Sequence, residues 1–124
     1  MCGIYGIVSY KHSQAEIRTR LQGMGKLQCH RGPDDQREVL YNIPGGIVGL
    51  GLVRLAILDI ETGMQPIHCS VDNTAIVCNG QIYNYIELRD SVKSEPFYTK
   101  GDIEVALHLY RLKGIDFLND LNGL

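Results

Sequence analysis

The sequence has no block of like charge, no long apolar run and no internal repeat, and these absences exclude several classes of protein. Twelve Lys and Arg residues stand against fourteen Asp and Glu residues, so the net charge is −2. This balance argues against a nucleic-acid partner and against binding to an anionic membrane. The longest stretch without a charged residue, Val39 to Val53, is interrupted by Asn42, Pro44 and several glycines. It is shorter than the roughly 20 apolar residues of a spanning helix, so we expect no membrane span.

Familiar metal and nucleotide motifs are also missing. The pairs Cys29-His30 and His68-Cys69 do not have the usual spacing of zinc ligands, so we expect no metal site. Gly46, Gly49 and Gly51 match neither the dinucleotide fingerprint nor the phosphate-binding loop. The sequence therefore predicts no cofactor in this chain.

The cysteines and the N-terminus indicate a cytoplasmic protein. The N-terminus is apolar, but it lacks the basic segment and the small-residue cleavage site of a secretory signal. The four cysteines are irregularly spaced. Together these features favour free thiols over a disulfide framework.

Length and composition predict one globular domain of alternating strands and helices. The chain has 124 residues, and its 44% hydrophobic content can supply a core. A capping box from Ser13 to Glu16 begins the first predicted helix, and Gly114 is placed to end the last one. The predicted strands are Gly3–Tyr10, Glu38–Ile43, Ile47–Asp59 and Thr74–Cys78. The later predicted helices are Tyr85–Val92 and Asp102–Lys113, with Ile103, Ala106, Leu107 and Tyr110 on one face of the latter.

Cys2 is the residue that carries the most chemical information. Removal of Met1 by an aminopeptidase would leave a cysteine with both a nucleophilic sulfur and a free α-amine. The pKa of an α-amine is about 7.7 to 8.0, so part of it is neutral at physiological pH and can accept the thiol proton. The alternative is that Cys2 is an ordinary small apolar residue at the start of a strand.

Three further positions have both a chemical and a structural interpretation. Arg54 interrupts an apolar run and could bind a carboxylate through two hydrogen bonds, or it could be a strand-end arginine in water. Asn79-Gly80 could form an oxyanion hole, or it could be a tight turn. Asp102 could receive a substrate ammonium, or it could cap a helix.

The order of these features along the chain resembles a known family. Met1–Ile7 is similar to the start of the class II glutamine amidotransferases, whose N-terminal cysteine is the nucleophile. Other segments resemble the glutaminase domain of glutamine-dependent asparagine synthetase, and together these motifs cover nearly the whole chain in the family order. They are Arg31–Asp34, Arg54–Asp59, Gly63–Ile67, Asn79–Tyr85 and Glu87–Arg89.

The resemblance implies a fold and an activity. The implied fold is α+β, the four-layer αββα sandwich of the N-terminal nucleophile hydrolases, with residues 2–124 as part of the amidotransferase domain. The implied activity is hydrolysis of glutamine to glutamate and ammonia. The ammonia would pass to an ATP-activated acceptor, most simply aspartate, on a synthetase domain or subunit. ATP and Mg²⁺ would bind to that synthetase part and not to this chain.

The resemblance also implies a role for each site residue. Cys2 would attack the side-chain amide of glutamine, while Asn79 and the Gly80 amide would stabilise the oxyanion. Arg54 would bind the substrate α-carboxylate, and Asp102 would bind its α-ammonium. The other implied pocket residues are Leu55, Ile57 and Gln81.

The sequence departs from the family pattern at the pocket and at its end. Gln81 stands where the family usually has a glutamate that helps to bind the substrate ammonium, and the lost charge predicts weaker glutamine binding by roughly 1 to 2 kcal/mol. Leu52 replaces a frequent histidine, and Gly101 replaces a Ser or Thr. Because the chain stops at Leu124, where the family continues, we expect an incomplete sandwich. The alternative function is therefore an inactive remnant that serves as an interaction or regulatory module.

Overall fold

The computed structural model describes residues 1–124 and contains two compact units. The first unit, Met1–Ala56, is a three-stranded antiparallel sheet with one α-helix. The strand order is β1-β3-β2. A short 3₁₀ helix, Cys29–Arg31, follows the α-helix. The elements of this unit are β1 (Gly3–Ser9), α1 (Gln14–Gln28), β2 (Asp35–Ile43) and β3 (Gly46–Arg54).

Helix α1 begins as the sequence predicts. The Ser13 hydroxyl accepts a hydrogen bond from the Glu16 amide, and the Glu16 carboxylate accepts one from the Ser13 amide at 2.8 Å. This reciprocal capping satisfies amide groups that have no partner inside the helix. The face of α1 that bears Ile17 and Leu21 is then buried.

The glycines of β3 make room for the core of the first unit. A Cβ at Gly51 would overlap the Tyr5 ring, and one at Gly49 would come within 2.5 Å of Leu21 Cδ1. The Tyr5 hydroxyl donates to the Glu38 carboxylate at 2.9 Å. Burial raises the pKa of Tyr5, and the Glu38 carboxylate raises it further. The glycine spacing in this region therefore reflects packing against β3.

The second unit, Ile57–Leu124, has a separate core built around a buried helix. Its elements are β4 (Ile67–Cys69), β5 (Thr74–Ile76), α2 (Tyr85–Ser91), α3 (Glu104–Lys113) and a 3₁₀ helix (Gly114–Asp120). Strands β4 and β5 pair in antiparallel orientation. Helix α3 is buried from Glu104 through Leu109 and ends at Gly114, which has a φ of 59° and was the predicted stop.

Several element predictions are wrong in detail. Strand β3 ends at Arg54 and not at Asp59, because the Ala56 amide donates to the Asp34 carboxylate at 2.8 Å instead of a neighbouring strand. Strand β4 was not predicted, since three residues carry almost no alternation. Tyr110 is 46% exposed and does not share the buried face of α3.

The α+β class with antiparallel sheets is confirmed by two such sheets and three α-helices. All four cysteines carry free thiols. None of the helices is both long enough and apolar enough to cross a bilayer.

The core of the first unit can be tested with a pair of leucines on α1. Leu21 is fully buried against Tyr5, Ile17 and Val53, whereas Leu27 is 80% exposed. Leu21→Ala should lower the free energy of unfolding by about 2 to 5 kcal/mol, because it removes buried methyl groups and leaves a cavity. Leu27→Ala should change it by less than about 0.5 kcal/mol. Urea unfolding followed by circular dichroism measures both, and equal losses would contradict this assignment of the core.

Candidate functional site

Cys2 lies just before β1 and is held by the backbone of Leu55. Its thiol donates to the Leu55 carbonyl at 3.6 Å, and the Leu55 amide donates to its Sγ at 3.4 Å. The side chain is half-buried. The nucleophile candidate therefore has a defined position, directly beside the residue that follows Arg54.

The Arg31–Asp34 loop holds this region together. The Arg31 side chain donates from Nε to the Cys2 carbonyl at 3.0 Å. A Cβ at Gly32 would overlap the Arg54 amide nitrogen, so glycine allows the loop to lie directly on the end of β3. Asp34 bonds to both sides of Leu55, because its amide donates to the Arg54 carbonyl and its carboxylate accepts from the Ala56 amide. The motif predicted only as a loop is thus the support for the backbone around Cys2.

Arg54 is the last residue of β3, and it is only 6% exposed. The alternative of a strand-end arginine in water is therefore wrong. A buried guanidinium needs hydrogen-bonding or charged partners, and the role of Arg54 in binding a carboxylate stays a prediction.

Asn79 and Gly80 follow β5 in the second unit, and both are exposed. Neither has a positive φ, so the pair does not adopt the left-handed conformation of a two-residue hairpin turn, and its role as an oxyanion hole stays a prediction. The amide of the preceding residue, Cys78, donates to the Gln65 side-chain oxygen at 2.6 Å. Gln65 is buried, and its role is to hold the backbone just before Asn79. No role for this motif residue was predicted from the sequence.

The segment after Gly80 is paired with the C-terminal residues Asn122–Leu124. The Gln81 amide donates to the Leu124 carbonyl at 2.8 Å, and the Leu124 amide donates back to the Gln81 carbonyl at 3.0 Å. The side-chain amide of Asn84 holds the same C-terminal segment, donating to the Asp120 carbonyl and accepting from the Asn122 amide. These bonds fix the backbone that carries Asn79, Gly80 and Gln81.

Asp102 is joined to the same segment. It is 7% exposed, and its Oδ2 accepts a hydrogen bond from the Ile82 amide at 2.7 Å. It does not cap α3, whose N-cap is Ile103 without a side-chain hydrogen bond, so the helix-capping alternative is wrong. The structure therefore places the Asp102 carboxylate against Ile82, the residue that follows Gln81.

The site residues are divided between the two units. Cys2, Arg54 and Leu55 come together in the first unit, as described above. In the second unit, the Ile57 side chain is 76% exposed. The backbone of Leu55 is thus hydrogen-bonded to the Cys2 thiol, whereas the role of Ile57 in the pocket stays a prediction.

Asp59, at the end of the Arg54–Asp59 motif, was also missed by sequence reasoning. Its carboxylate accepts hydrogen bonds from the Lys100 and Gly101 amides and from the Thr62 hydroxyl. Burial alone would raise the pKa of Asp59, but these hydrogen bonds and the one from the Thr62 amide outweigh it and lower the pKa below 3.8. The only sequence signal was its place in the motif.

Comparison with known proteins decides the family. The family model described as a glutamine amidotransferase domain matches residues 1–124. The chain belongs to that family. The resemblance predicted from the motifs is thereby confirmed.

The relatives of this glutamine amidotransferase domain are glutamine-hydrolysing asparagine synthetases. Asparagine synthetase 2 of Bacillus subtilis is 39% identical over 126 residues, which cover 100% of this chain and 16% of that protein. Asparagine synthetase B of Escherichia coli is 36% identical over 125 residues, covering 100% of this chain and 22% of that protein. Asparagine synthetase 1 of Arabidopsis thaliana is 36% identical over 124 residues, covering 100% and 20%. The chain spans between 16% and 26% of the length of such relatives.

The positions where this amidotransferase domain departs from the family pattern have different surroundings. A Cβ on Gly101 would contact Asp59 at 3.4 Å, an ordinary van der Waals distance, so a serine would fit there. Leu52 is fully buried in β3, where a histidine would need a polar partner. The Gln81 side chain is exposed, so either an amide or a carboxylate can be solvated at this position.

Gly80 offers a test of the backbone pairing in this amidotransferase domain. A Cβ at Gly80 would lie 2.5 Å from the Leu124 carbonyl oxygen, whereas one at Gly23 in α1 meets nothing within 4 Å. Gly80→Ala should lower the free energy of unfolding by about 1 to 3 kcal/mol through this overlap. Gly23→Ala should raise it by roughly 0.5 to 1 kcal/mol, because alanine favours the helix. Urea unfolding, with amide exchange of Gln81 and Leu124, measures the effect, and unchanged Gln81 exchange in Gly80→Ala would contradict the pairing.

Proposed function

We propose that this chain is the glutaminase part of an asparagine synthetase-like enzyme that hydrolyses glutamine through a Cys2 thioester. The observation that carries the proposal is the half-buried Cys2 thiol, held between the amide and the carbonyl of Leu55 directly after the buried Arg54. The family membership of the whole chain supports the same chemistry.

Nucleophilic attack would begin at the N-terminal cysteine. Met1 is 72% exposed, which supports its removal by an aminopeptidase and the release of the Cys2 α-amine. This amine takes the thiol proton as the sulfur attacks the side-chain carbonyl carbon of glutamine. The same proton then goes to the leaving nitrogen, the C–N bond breaks, and ammonia departs to leave a thioester on Cys2. Water attacks the thioester, which releases glutamate and restores the thiol.

Charge that develops on the carbonyl oxygen needs fixed hydrogen-bond donors. We assign this role to the Asn79 side-chain amide and the Gly80 backbone amide. Their backbone is fixed by the Gln65 contact and by pairing with Asn122–Leu124, which supports a preorganised hole. Arg54 would bind the α-carboxylate of glutamine and Asp102 its α-ammonium, while Leu55, Ile57 and Gln81 would contribute to the pocket.

The acceptor and the wider architecture belong to the same proposal. Because the relatives are named asparagine synthetases, we propose that ammonia passes to ATP-activated aspartate on a synthetase domain or subunit. ATP and Mg²⁺ would bind to that part, and we assign no cofactor to this chain. We propose that residues 2–124 form part of a four-layer αββα sandwich, and the two antiparallel sheets support it. The cytoplasmic location stays a prediction.

The alternative function, an inactive interaction or regulatory module, has less support. The relatives reported above are all glutamine-hydrolysing enzymes by name. In addition, the chain keeps every residue to which the mechanism assigns a direct chemical role. These residues are Cys2, Arg54, Asn79, Gly80 and Asp102.

The nucleophile can be tested with two cysteine variants. A glutamine analogue with a chloromethyl ketone in place of the carboxamide should label Cys2, and the chain with Met1 removed should release glutamate from glutamine. Cys2→Ala should lose both, because no other thiol is placed next to the α-amine. Cys29→Ala removes an exposed thiol and should keep both. Mass spectrometry and a glutamate assay measure the outcome, and a folded chain without either activity would favour the inactive module.

Gln81 allows a test of substrate binding. Gln81→Glu should lower the KM for glutamine by about tenfold, because a carboxylate binds the substrate ammonium with charge assistance. The value of kcat should change little, since the interaction is made equally in the ground and transition states. Gln22→Glu adds the same charge to an exposed position on α1 and should leave KM unchanged. A KM that falls equally in both variants would attribute the effect to net charge and overturn this role of Gln81.

A further inference from the structure

The segment just before Asp102 has no helix or strand, but side chains bond to all four backbone amides of residues 98–101. The Tyr98 and Thr99 amides donate to the Glu104 carboxylate at 2.9 and 2.7 Å. The next two amides, Lys100 and Gly101, donate to Asp59 Oδ2 at 2.8 and 3.0 Å. Four consecutive amides are thus bonded to two carboxylates, a degree of order that a solvated loop does not need.

Arg89 holds the opposite, carbonyl side of the same segment. Its Nη2 donates to the Thr99 carbonyl at 2.9 Å, and its Nη1 donates to the Gly101 carbonyl at 3.0 Å. Its Cζ lies 3.9 Å from the centroid of the Phe97 ring, so the guanidinium stacks on an aromatic face. Arg89 is the last residue of a family-like motif, and the mechanism above gives it no role.

The bond from Arg89 to the Gly101 carbonyl acts on the orientation of Asp102. The Gly101 carbonyl and the Asp102 amide belong to one planar peptide unit, so fixing the carbonyl fixes the plane from which Asp102 extends. On the other side, the Asp102 carboxylate accepts the Ile82 amide at 2.7 Å. The orientation of Asp102 is therefore determined from its backbone by Arg89 and from its carboxylate by Ile82.

We propose that Arg89 is a positioning residue that sets the selectivity of the site for a substrate α-ammonium by holding Asp102. This inference rests on the proposed function, in which Asp102 binds that ammonium. Lysine cannot replace arginine here, because an ammonium group has no planar fork to reach both carbonyls and does not stack in the same way. Arg89 itself has no contact with substrate in this role.

The first experiment does not depend on catalysis. Amide exchange of Ile82 reports the hydrogen bond to Asp102, and exchange of Leu109 reports the stability of the buried core. Arg89→Ala should speed exchange of Ile82 about tenfold relative to Leu109. Leu88→Ala is the matched control, since it weakens the packing of the same helix without removing the fork. Equal acceleration of both amides in Arg89→Ala would overturn the inference.

The second experiment measures selectivity. The kcat/KM for glutamine is divided by the kcat/KM for its analogue without the α-amino group, and this ratio is the selectivity for the ammonium. Arg89→Ala and Asp102→Asn should each lower this ratio about tenfold, and the double variant should lower it no further, because both act on one contact. Leu88→Ala should leave the ratio unchanged.

The outcomes separate this inference from the function on which it rests. A lower ratio in Asp102→Asn with no change in Arg89→Ala overturns the positioning role alone. An unchanged ratio in Asp102→Asn overturns the ammonium-binding role of Asp102, and the inference falls with it. Where Arg89→Ala does not fold, Arg89→Lys keeps the charge without the fork, and it should show the same loss of selectivity.

Discussion

The four carboxylate-bonded amides of residues 98–101 are the interaction on which the functional part of the second unit depends. Glu104 is only 1% exposed, and a buried carboxylate is unfavourable unless hydrogen bonds replace its lost water. Glu104 accepts from two amides and from the Thr99 hydroxyl, and these bonds offset the desolvation. The loop and the buried charge thus stabilise each other. Without either, Asp102 would have no fixed backbone next to Ile82.

The same physical arrangement recurs beside Cys2 and beside Asn79, two site residues that lie outside the helices and strands. In the first unit, Asp34 bonds to the backbone on both sides of Leu55, next to the Cys2 thiol. In the second unit, Gln65 holds the backbone just before Asn79. Segments without a strand ladder have unsatisfied amides, and polar side chains from distant positions in the chain satisfy them. Their geometry is therefore as defined as that of a strand, but it depends on single side chains.

How much of this structure the sequence predicts depends on how far apart the contacting residues lie along the chain. The Ser13 cap and the Gly114 stop of α3 depend on neighbouring residues, and both are confirmed. The end of β3 and the position of Asp102 depend on Asp34 and Ile82, which are 22 and 20 residues away along the chain. Local patterns carry no information about such partners, which is why the end of β3 was misplaced and Asp102 had a helix cap as its structural alternative.

The sequence also predicts some residues of the candidate site and not others. The motifs identified which residue types could act. The burial of Arg54 excludes an arginine in water, and Asp102 bonds to the Ile82 amide instead of capping α3. The supporting side chains Gln65, Asp59 and Arg89 were visible only as members of motifs, because each of them bonds to backbone atoms. A backbone partner leaves no complementary residue type in the sequence, so such contacts become apparent only in three dimensions.

The strand order β1-β3-β2 also determines when each strand can pair as the chain is synthesised. Strands β2 and β3 form a hairpin of adjacent segments, whereas β1 pairs only with β3, from Gly3 with Val53 to Ser9 with Ile47. Local pairs form early, and pairs that close a long loop form later. A nascent chain therefore has no partner for β1 until β3 has left the ribosome. In the proposed mechanism, that interval is when a processing enzyme would remove Met1, before the Leu55 backbone bonds to the Cys2 thiol.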